Sequence, residues 1–297
     1  MPDLLRVGII GLDTSHSIEF TRRMQAPDCP QDQRVEGMQA VTCLRFETPF
    51  QDQQGLDERQ AQLEAWGVSV IEDFDEAVSG CDALLMEIND PQYHLDYLAR
   101  VACLGKPLFL DKPLADTMAN GLQVCAIAAE NSLRFFSASS LRFVPPLVQA
   151  CKAVPDPLCC TVYGPLGRAP AGSSIVWYGV HSFEMLQRAM GRGAQSLSTR
   201  KDGAGVVVTV DYDRGRRGIV ELTDGAYVYG GCLRTSDKAV PYVVDMTRAY
   251  SDQLVEIERF FRGAAPPLEV EDTLEVMAML DAAERSFHSN ELESVYT

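Results

Sequence analysis

Basic residues are scarce in this chain: 26 lysines and arginines stand against 42 aspartates and glutamates, a formal charge of −16. A surface so acidic repels a phosphate backbone or an anionic bilayer, which argues against nucleic acid and membranes as partners. It leaves room for a small anionic ligand held locally at a helix N-terminus. No uninterrupted apolar run reaches the ~18 residues from which a membrane-spanning helix is built. Met1-Pro2-Asp3 leads into a strand-like segment with no basic targeting region, so a cytoplasmic protein is expected. The nine cysteines (Cys29, Cys43, Cys81, Cys103, Cys125, Cys151, Cys159, Cys160 and Cys232) contain no Cys-x-x-Cys pair and read as reduced, mostly core residues. Histidines number only four, His16, His94, His181 and His288, with no close ligand spacing, so no metal site is expected. A Gly-x-Ser-x-Gly elbow and a Walker loop are both missing, as are internal repeats and low-complexity tracts.

What is present suits an ordinary globular chain of two domains: 297 residues, 46% hydrophobic and 23% charged. Leu4 to Gly11 is a near-continuous apolar run ending in glycine, the pattern of a parallel strand buried on both faces. Thr14 or Ser15 can cap a following helix whose apolar positions include Ile18, Phe20 and Met24. A strand, tight turn and helix in this order form the usual seat of a dinucleotide pyrophosphate.

The glycine fingerprint of such a turn is incomplete. From Gly11 the chain reads Gly-Leu-Asp-Thr-Ser-His, with Asp13 and His16 in the places of the second and third glycines. Those glycines normally admit the pyrophosphate and let the helix pack closely, and an aspartate beside a pyrophosphate is repulsive. Thr14, Ser15 and the helix N–H groups can still hydrogen-bond a phosphate. His16 either occupies the pyrophosphate's space or donates to it. After the next strand, Arg45 and Glu47 leave the choice between NADP and NAD open, because their distance from Gly11 exceeds the usual spacing.

Strand and helix signals then alternate. Strands are predicted over Gln39–Phe46, Val68–Ile71, Ala83–Ile88, Pro107–Leu110 and Arg134–Ala138. Helices are predicted over Leu56–Trp66, Phe74–Val78, Tyr93–Leu104 and Thr117–Asn131. This is the rhythm of a Rossmann-type, doubly wound parallel sheet with right-handed crossovers. The second half changes character. After helical signals at Val144–Ala153 and Ile175–Met190 and a strand at Cys159–Tyr163, runs with period two follow at Gln195–Arg200, Val206–Tyr212, Arg217–Leu222 and Ala226–Gly230. Asp-Gly turns punctuate them, predicting antiparallel hairpins. Helices over Tyr250–Phe261 and Glu271–Ser289 close the chain. The expected architecture is therefore α/β: a dinucleotide-binding domain over residues 1–115 and an α+β substrate and oligomerisation domain over 116–297, built on a mostly antiparallel sheet. The closing helices are candidates for packing back on the first domain. An open sheet with one apolar face is a common dimer surface, so a homo-oligomer is expected.

The stretch Phe109-Leu110-Asp111-Lys112-Pro113-Leu114-Ala115 places a carboxylate and an ammonium at the carboxyl edge of a buried strand, where open α/β sheets bind ligands. Together with Val7–Gly11, Asn89-Asp90-Pro91-Gln92-Tyr93-His94, Gly105-Lys106-Pro107, Arg142-Phe143-Val144-Pro145, Gly179-Val180-His181 and Val255–Ser286, it makes the chain resemble the glucose-fructose oxidoreductase and inositol dehydrogenase family, Gfo/Idh/MocA. The family's Glu-Lys-Pro tripeptide is Asp111-Lys112-Pro113 here.

The resemblance implies an NAD- or NADP-dependent oxidoreductase acting on a sugar, polyol or related small hydroxy compound. Lys112 would polarise the oxygen that becomes a carbonyl, and His181 would exchange the hydroxyl proton, roles that an ammonium and an imidazole suit chemically. The cofactor would meet Gly11, Asp13, Thr14, Ser15, His16, Asn89, Pro91, His94, Asp111 and Lys112. For His94 a structural role at a helix N-terminus is an equal alternative. Where the family often carries an aspartate four residues before the histidine, this chain has Trp177, and Tyr178 or Glu184 are candidates to take its part. These departures keep a second reading open: a homologue that has lost redox chemistry and serves as a ligand-binding or regulatory protein.

Overall fold

The computed structural model describes residues 4–296. The chain divides into two compact units, the first holding the residues up to Ala115 with Leu122–Ser137 and Tyr250–Leu268, the second holding Asp116–Gly121, Ala138–Ala249 and everything from Glu269 on.

The first unit opens with β1 (Leu5–Ile10), α1 (Ser15–Gln25), β2 (Met38–Leu44), α2 (Gln53–Ala65), β3 (Ser69–Ile71), α3 (Phe74–Ser79) and β4 (Ala83–Met86). It continues through α4 (His94–Val101), β5 (Leu108–Leu110), α5 (Met118–Glu130) and β6 (Phe135–Ser137), the first residues of α5 lying in the second unit. The six strands are all parallel in the order β3-β2-β1-β4-β5-β6. Each strand is short and almost wholly apolar because helices cover both faces of such a sheet. The order reverses between β1 and β4, so the carboxyl ends of these neighbours flank the crevice in which this architecture binds ligands. Ile10, Met86 and Leu110 are in register across β1, β4 and β5. Gly11, Glu87 and Asp111 are therefore the first residues beyond that edge.

A chain of edge-to-face aromatic pairs runs through the core of this unit: Phe20 with Phe109, Phe109 with Phe136, and Phe136 with Phe260 of α9 (Ala249–Phe261). Phe20, Phe109 and Phe260 are among its largest fully buried side chains. Each such burial contributes roughly 1.5–3 kcal/mol before entropy is counted. The edge-to-face geometry adds to it, and together these contacts fix β5, and with it the Asp111-Lys112 pair, in the core.

The second unit contains α6 (Pro145–Ala153), β7 (Cys159–Pro165), α7 (Ser174–Trp177), α8 (Val180–Met190), β8 (Ala194–Lys201), β9 (Gly205–Tyr212), β10 (Arg217–Thr223), β11 (Gly230–Arg234), β12 (Ala239–Val243), α10 (Val270–Ser289) and β13 (Glu293–Ser294). Its sheet runs β12-β11-β7-β10-β9-β8-β13, antiparallel except for the β7–β10 pair.

Two sequence expectations need correction here. The single helix over Ile175–Met190 is two helices, α7 and α8. Tyr178 N and Gly179 N both donate to the Ser174 carbonyl, at 3.1 and 3.2 Å; the second bond spans five residues, which widens the turn and ends the first helix. The expected strand at Ala226–Gly230 instead begins at Gly230, and Tyr227 and Val228 are exposed. Close packing decides the register: a Cβ on Gly230 would lie 2.3 Å from the Tyr163 hydroxyl oxygen, so glycine is required where propensity alone disfavours a strand. The unexpected strand β12 carries Pro241 and lies at the sheet edge, the position where a proline without an N–H is tolerated.

Candidate functional site

The turn after β1 keeps its first glycine for a steric reason. Gly11 has φ +106°, and a Cβ there would lie 2.3 Å from the Glu87 carbonyl oxygen, so glycine is required twice over. Thr14 caps α1, its hydroxyl accepting from His16 N at 3.2 Å, while Ser15 is exposed on the first turn.

Asp13 does not present its charge as an outward-pointing group. The residue is 1% exposed. It accepts from Thr48 Oγ1 at 2.7 Å and from the backbone N–H of Asn89 at 2.8 Å, with Asp90 N at 3.4 Å. Burial pushes its pKa up, and these donors act in the opposite direction. The residue standing in place of the second glycine thus ties the turn after β1 to the segment after β4.

That segment runs from Asn89 into a tight turn at Pro91–Tyr93, capped by the Asp90 side chain, and then into α4. His94, the first residue of α4, is fully buried. Its Nε2 lies 2.9 Å from the Ile88 carbonyl oxygen and its Nδ1 3.3 Å from that of Leu114. Both ring nitrogens therefore meet backbone carbonyls, and His94 joins the ends of the β4 and β5 loops. Arg45 is engaged with the Asp57 carboxylate of α2 at 2.5 Å.

At the carboxyl edge itself, His16 Nδ1 lies 2.7 Å from Asp111 Oδ2 and 3.8 Å from Glu87 Oε2. Lys112 Nζ lies 3.6 Å from Asp111 Oδ2, and the Lys112-Pro113 peptide is cis. His16, Glu87, Asp111 and Lys112 are all buried. Burial and the Asp111 charge push Glu87 well above the ordinary carboxyl range, with Lys112 acting the other way. Burial also acts to raise Asp111, but His16 and Lys112 outweigh it and hold that carboxyl below its ordinary value. Two carboxyl groups side by side are thus driven apart in acidity. Sequence reading missed Glu87, because it falls within an apolar run and its neighbours in space are remote in the chain.

The second unit holds a separate cluster around His181 on the first turn of α8. The His181 Nδ1 lies 2.6 Å from Ser139 Oγ, and the ring meets Tyr178 and Tyr229 edge-on, at centroid distances of 5.6 and 5.8 Å. Ser139 is fully buried; its hydroxyl also accepts from Leu141 N, and its own N–H donates to Glu184 Oε1 at 3.3 Å. Glu184 in turn pairs with Arg142 at 2.9 Å, and Arg142 reaches Gln187 at 2.5 Å. Burial raises the Glu184 pKa and Arg142 opposes it. Neither Tyr178 nor Glu184 is thus the hydrogen-bond partner seen at Nδ1; Ser139 is. Trp177 packs at a tilt against Tyr178. Ser139 escaped sequence reading because it lies in a loop some forty residues from its partner.

A doubly wound parallel sheet with its turn glycine, followed by a mixed sheet of seven strands, defines the class: a two-unit α/β protein with a dinucleotide-type first unit. Residues 5–139 match the model of the Gfo/Idh/MocA family, described as an oxidoreductase family with an NAD-binding Rossmann fold. The match takes in every strand of the parallel sheet, β1 to β6. The chain's fold extends over the full length of known structures. Scyllo-inositol dehydrogenase from Lactobacillus casei, with bound NAD(H) and scyllo-inositol, is 13% identical with a TM-score of 0.79, over 99% of this chain and 100% of that one. An oxidoreductase from Agrobacterium radiobacter in complex with NAD+, L-tartaric acid and magnesium is 14% identical with a TM-score of 0.75, over 99% of both chains. No curated protein sequence matches the chain.

Proposed function

We propose that the protein is an NAD- or NADP-dependent oxidoreductase that moves a hydride to or from a sugar, polyol or related hydroxy compound. The observation that carries this reading is the carboxyl edge at the β1/β4 reversal, with its glycine turn, its helix N-terminus and Lys112. The match of residues 5–139 to the family model supports the cofactor class, and the neighbour solved with NAD(H) and scyllo-inositol supports a polyol as the substrate class.

The residues of the first unit fit a nicotinamide dinucleotide. Gly11 keeps the tight turn, Asp13 directs its carboxylate into the protein, and Thr14 and the exposed Ser15 frame the start of α1. In this reading the α1 N-terminus and Ser15 hold the pyrophosphate, Asn89 and Pro91 line its path, and Asp111 and Lys112 serve the nicotinamide end. His94 contributes by fixing the loops. The nicotinamide, when bound, accepts or gives the hydride.

Lys112 is assigned to polarise the reacting oxygen. His181 is assigned to take or return the hydroxyl proton, which requires one ring nitrogen to be unprotonated and aimed. In the tautomer whose Nδ1–H donates to Ser139, Nε2 is that nitrogen. Ser139 acts here as a positioning residue in place of the acid that Trp177 cannot supply. Unlike a carboxylate, its hydroxyl orients the ring without adding a negative charge.

The test is turnover of NAD and NADP with a panel of inositols, hexitols and aldoses, in wild type, Lys112→Ala and His181→Ala. Each variant should keep its fold and lose turnover by about 10²–10⁴-fold, the usual worth of a positioned acid or base. Unchanged turnover in Lys112→Ala would remove its catalytic assignment. Saturable binding of a dinucleotide without turnover on any substrate would favour the ligand-binding reading.

A further inference from the structure

His16, Glu87 and Asp111 come from three elements, the first turn of α1 and the residues that follow β4 and β5. Nδ1 of the imidazole and one oxygen of each carboxylate all lie within 4.8 Å of one another. The three residues are 6%, 0% and 1% exposed. Burying two carboxylates together costs several kcal/mol unless donors or cations compensate them (roughly, for each ion).

Compensation from the chain itself is incomplete. Neither oxygen of Glu87 has a hydrogen-bond partner among the described residues, and Oδ1 of Asp111 has none either. Nearby Asp13, by contrast, is fully engaged by a hydroxyl and backbone N–H groups. Lys112 Nζ, at 3.6 Å from Asp111 Oδ2, is beyond ordinary hydrogen-bond distance. Acceptor atoms aimed at one another in a buried site are what a cation requires.

We propose that His16 Nδ1, Glu87 and Asp111 bind one divalent transition-series cation, of the Mn²⁺ or Zn²⁺ class. A nitrogen ligand beside two carboxylates suits these ions better than Ca²⁺ or Mg²⁺, which favour all-oxygen shells. Ligand bonds of about 2.0–2.2 Å place donor atoms roughly 3.4 Å apart around a tetrahedral centre. The contacts of 2.7 and 3.8 Å from His16 Nδ1 bracket that value, so side-chain shifts of roughly 0.4–0.7 Å bring these donors to the spacing of an ion's ligands. The cation takes the place of the proton between Nδ1 and Oδ2, and its two charges balance the two carboxylates. Three protein ligands leave a coordination position for water or a ligand oxygen. The site is made from the first unit's own residues and stands whether or not a dinucleotide binds.

Mn²⁺ is the probe of choice, because the nine free cysteines are soft ligands that favour Zn²⁺ over Mn²⁺. The intact chain, stripped with a chelator, is titrated with Mn²⁺ while the paramagnetic resonance signal of free Mn²⁺ is followed. Saturation at one equivalent is expected, with affinity reduced 100-fold or more in Glu87→Gln and in His16→Gln, each verified as folded by circular dichroism. The absence of saturable Mn²⁺ binding by the folded wild type overturns the site. So does binding of unchanged affinity in both variants, or in whichever one folds.

Discussion

Replacing Asp13 by glycine would restore the second glycine of the dinucleotide fingerprint, yet the contacts of its carboxylate say that the change damages the loop. The side chain accepts from Thr48 Oγ1 at 2.7 Å and Asn89 N at 2.8 Å; the 3.4 Å contact with Asp90 N is too long to count for much. Two donors in a buried position would lose a charged acceptor, each bond being worth about 1.5–3 kcal/mol. Added backbone freedom costs a further 0.5–1 kcal/mol or roughly so. Removing a buried carboxylate offsets part of this, since burial pushes the Asp13 pKa up. The net expectation is a loss of about 2–4 kcal/mol, or on the order of 5–15 °C in the unfolding midpoint for a chain of this size. Thermal unfolding by circular dichroism reads the first effect and dinucleotide titration the second. An Asp13→Gly variant that melts within about 2 °C of wild type and binds dinucleotide more tightly would refute the reasoning.

Asp13→Asn isolates the charge. Because the folded-state pKa of Asp13 is raised, its contribution to stability is fully present below the unfolded value of about 3.9 and is lost as pH rises through the folded value. The stability of wild type relative to Asp13→Asn should therefore be greatest at and below about pH 4, roughly that unfolded value, and decline towards neutrality; a gap that widens with pH would contradict this. Ser139→Ala should lower kcat by about 10–100-fold through a misaimed His181, with little change in KM and an altered kcat–pH profile, and Ser139→Thr should restore most of it. A purely structural role would leave the pH profile unmoved. Arg142→Met strands the buried Glu184 carboxylate, which costs about 3–5 kcal/mol, whereas Arg142→Met combined with Glu184→Leu should lie closer to wild type in urea unfolding than the single variant does.

The fold was legible wherever burial left a one-dimensional mark. The apolar run into Gly11, the Thr14 cap and the strand before Asp111 are local patterns, and β1, α1 and β5 follow them closely. Where spatial packing decided the structure, the sequence was silent or misleading. Apolar periodicity runs unbroken from Ile175 to Met190, so the bifurcated acceptance by the Ser174 carbonyl that splits α7 from α8 could not be seen. Gly230 opens a strand because Tyr163 lies against it, a reason no propensity contains.

The site divides in the same way. Lys112 and His181 stood out through residue type and motif. Asp13 read as a repulsive intruder near a phosphate, because the partners that absorb its charge, Thr48 and Asn89, lie 35 and 76 residues away. Glu87 read as one more position in a buried strand. Only the register of β4 with β5 and the return of α1 bring it beside Asp111 and His16, residues themselves 95 apart.

Calorimetric titration of the purified, ligand-stripped protein with NAD, NADH, NADP and NADPH tests the central claim most directly. The account predicts saturable, one-to-one binding of at least one of these dinucleotides. A folded protein that binds none of them would contradict it.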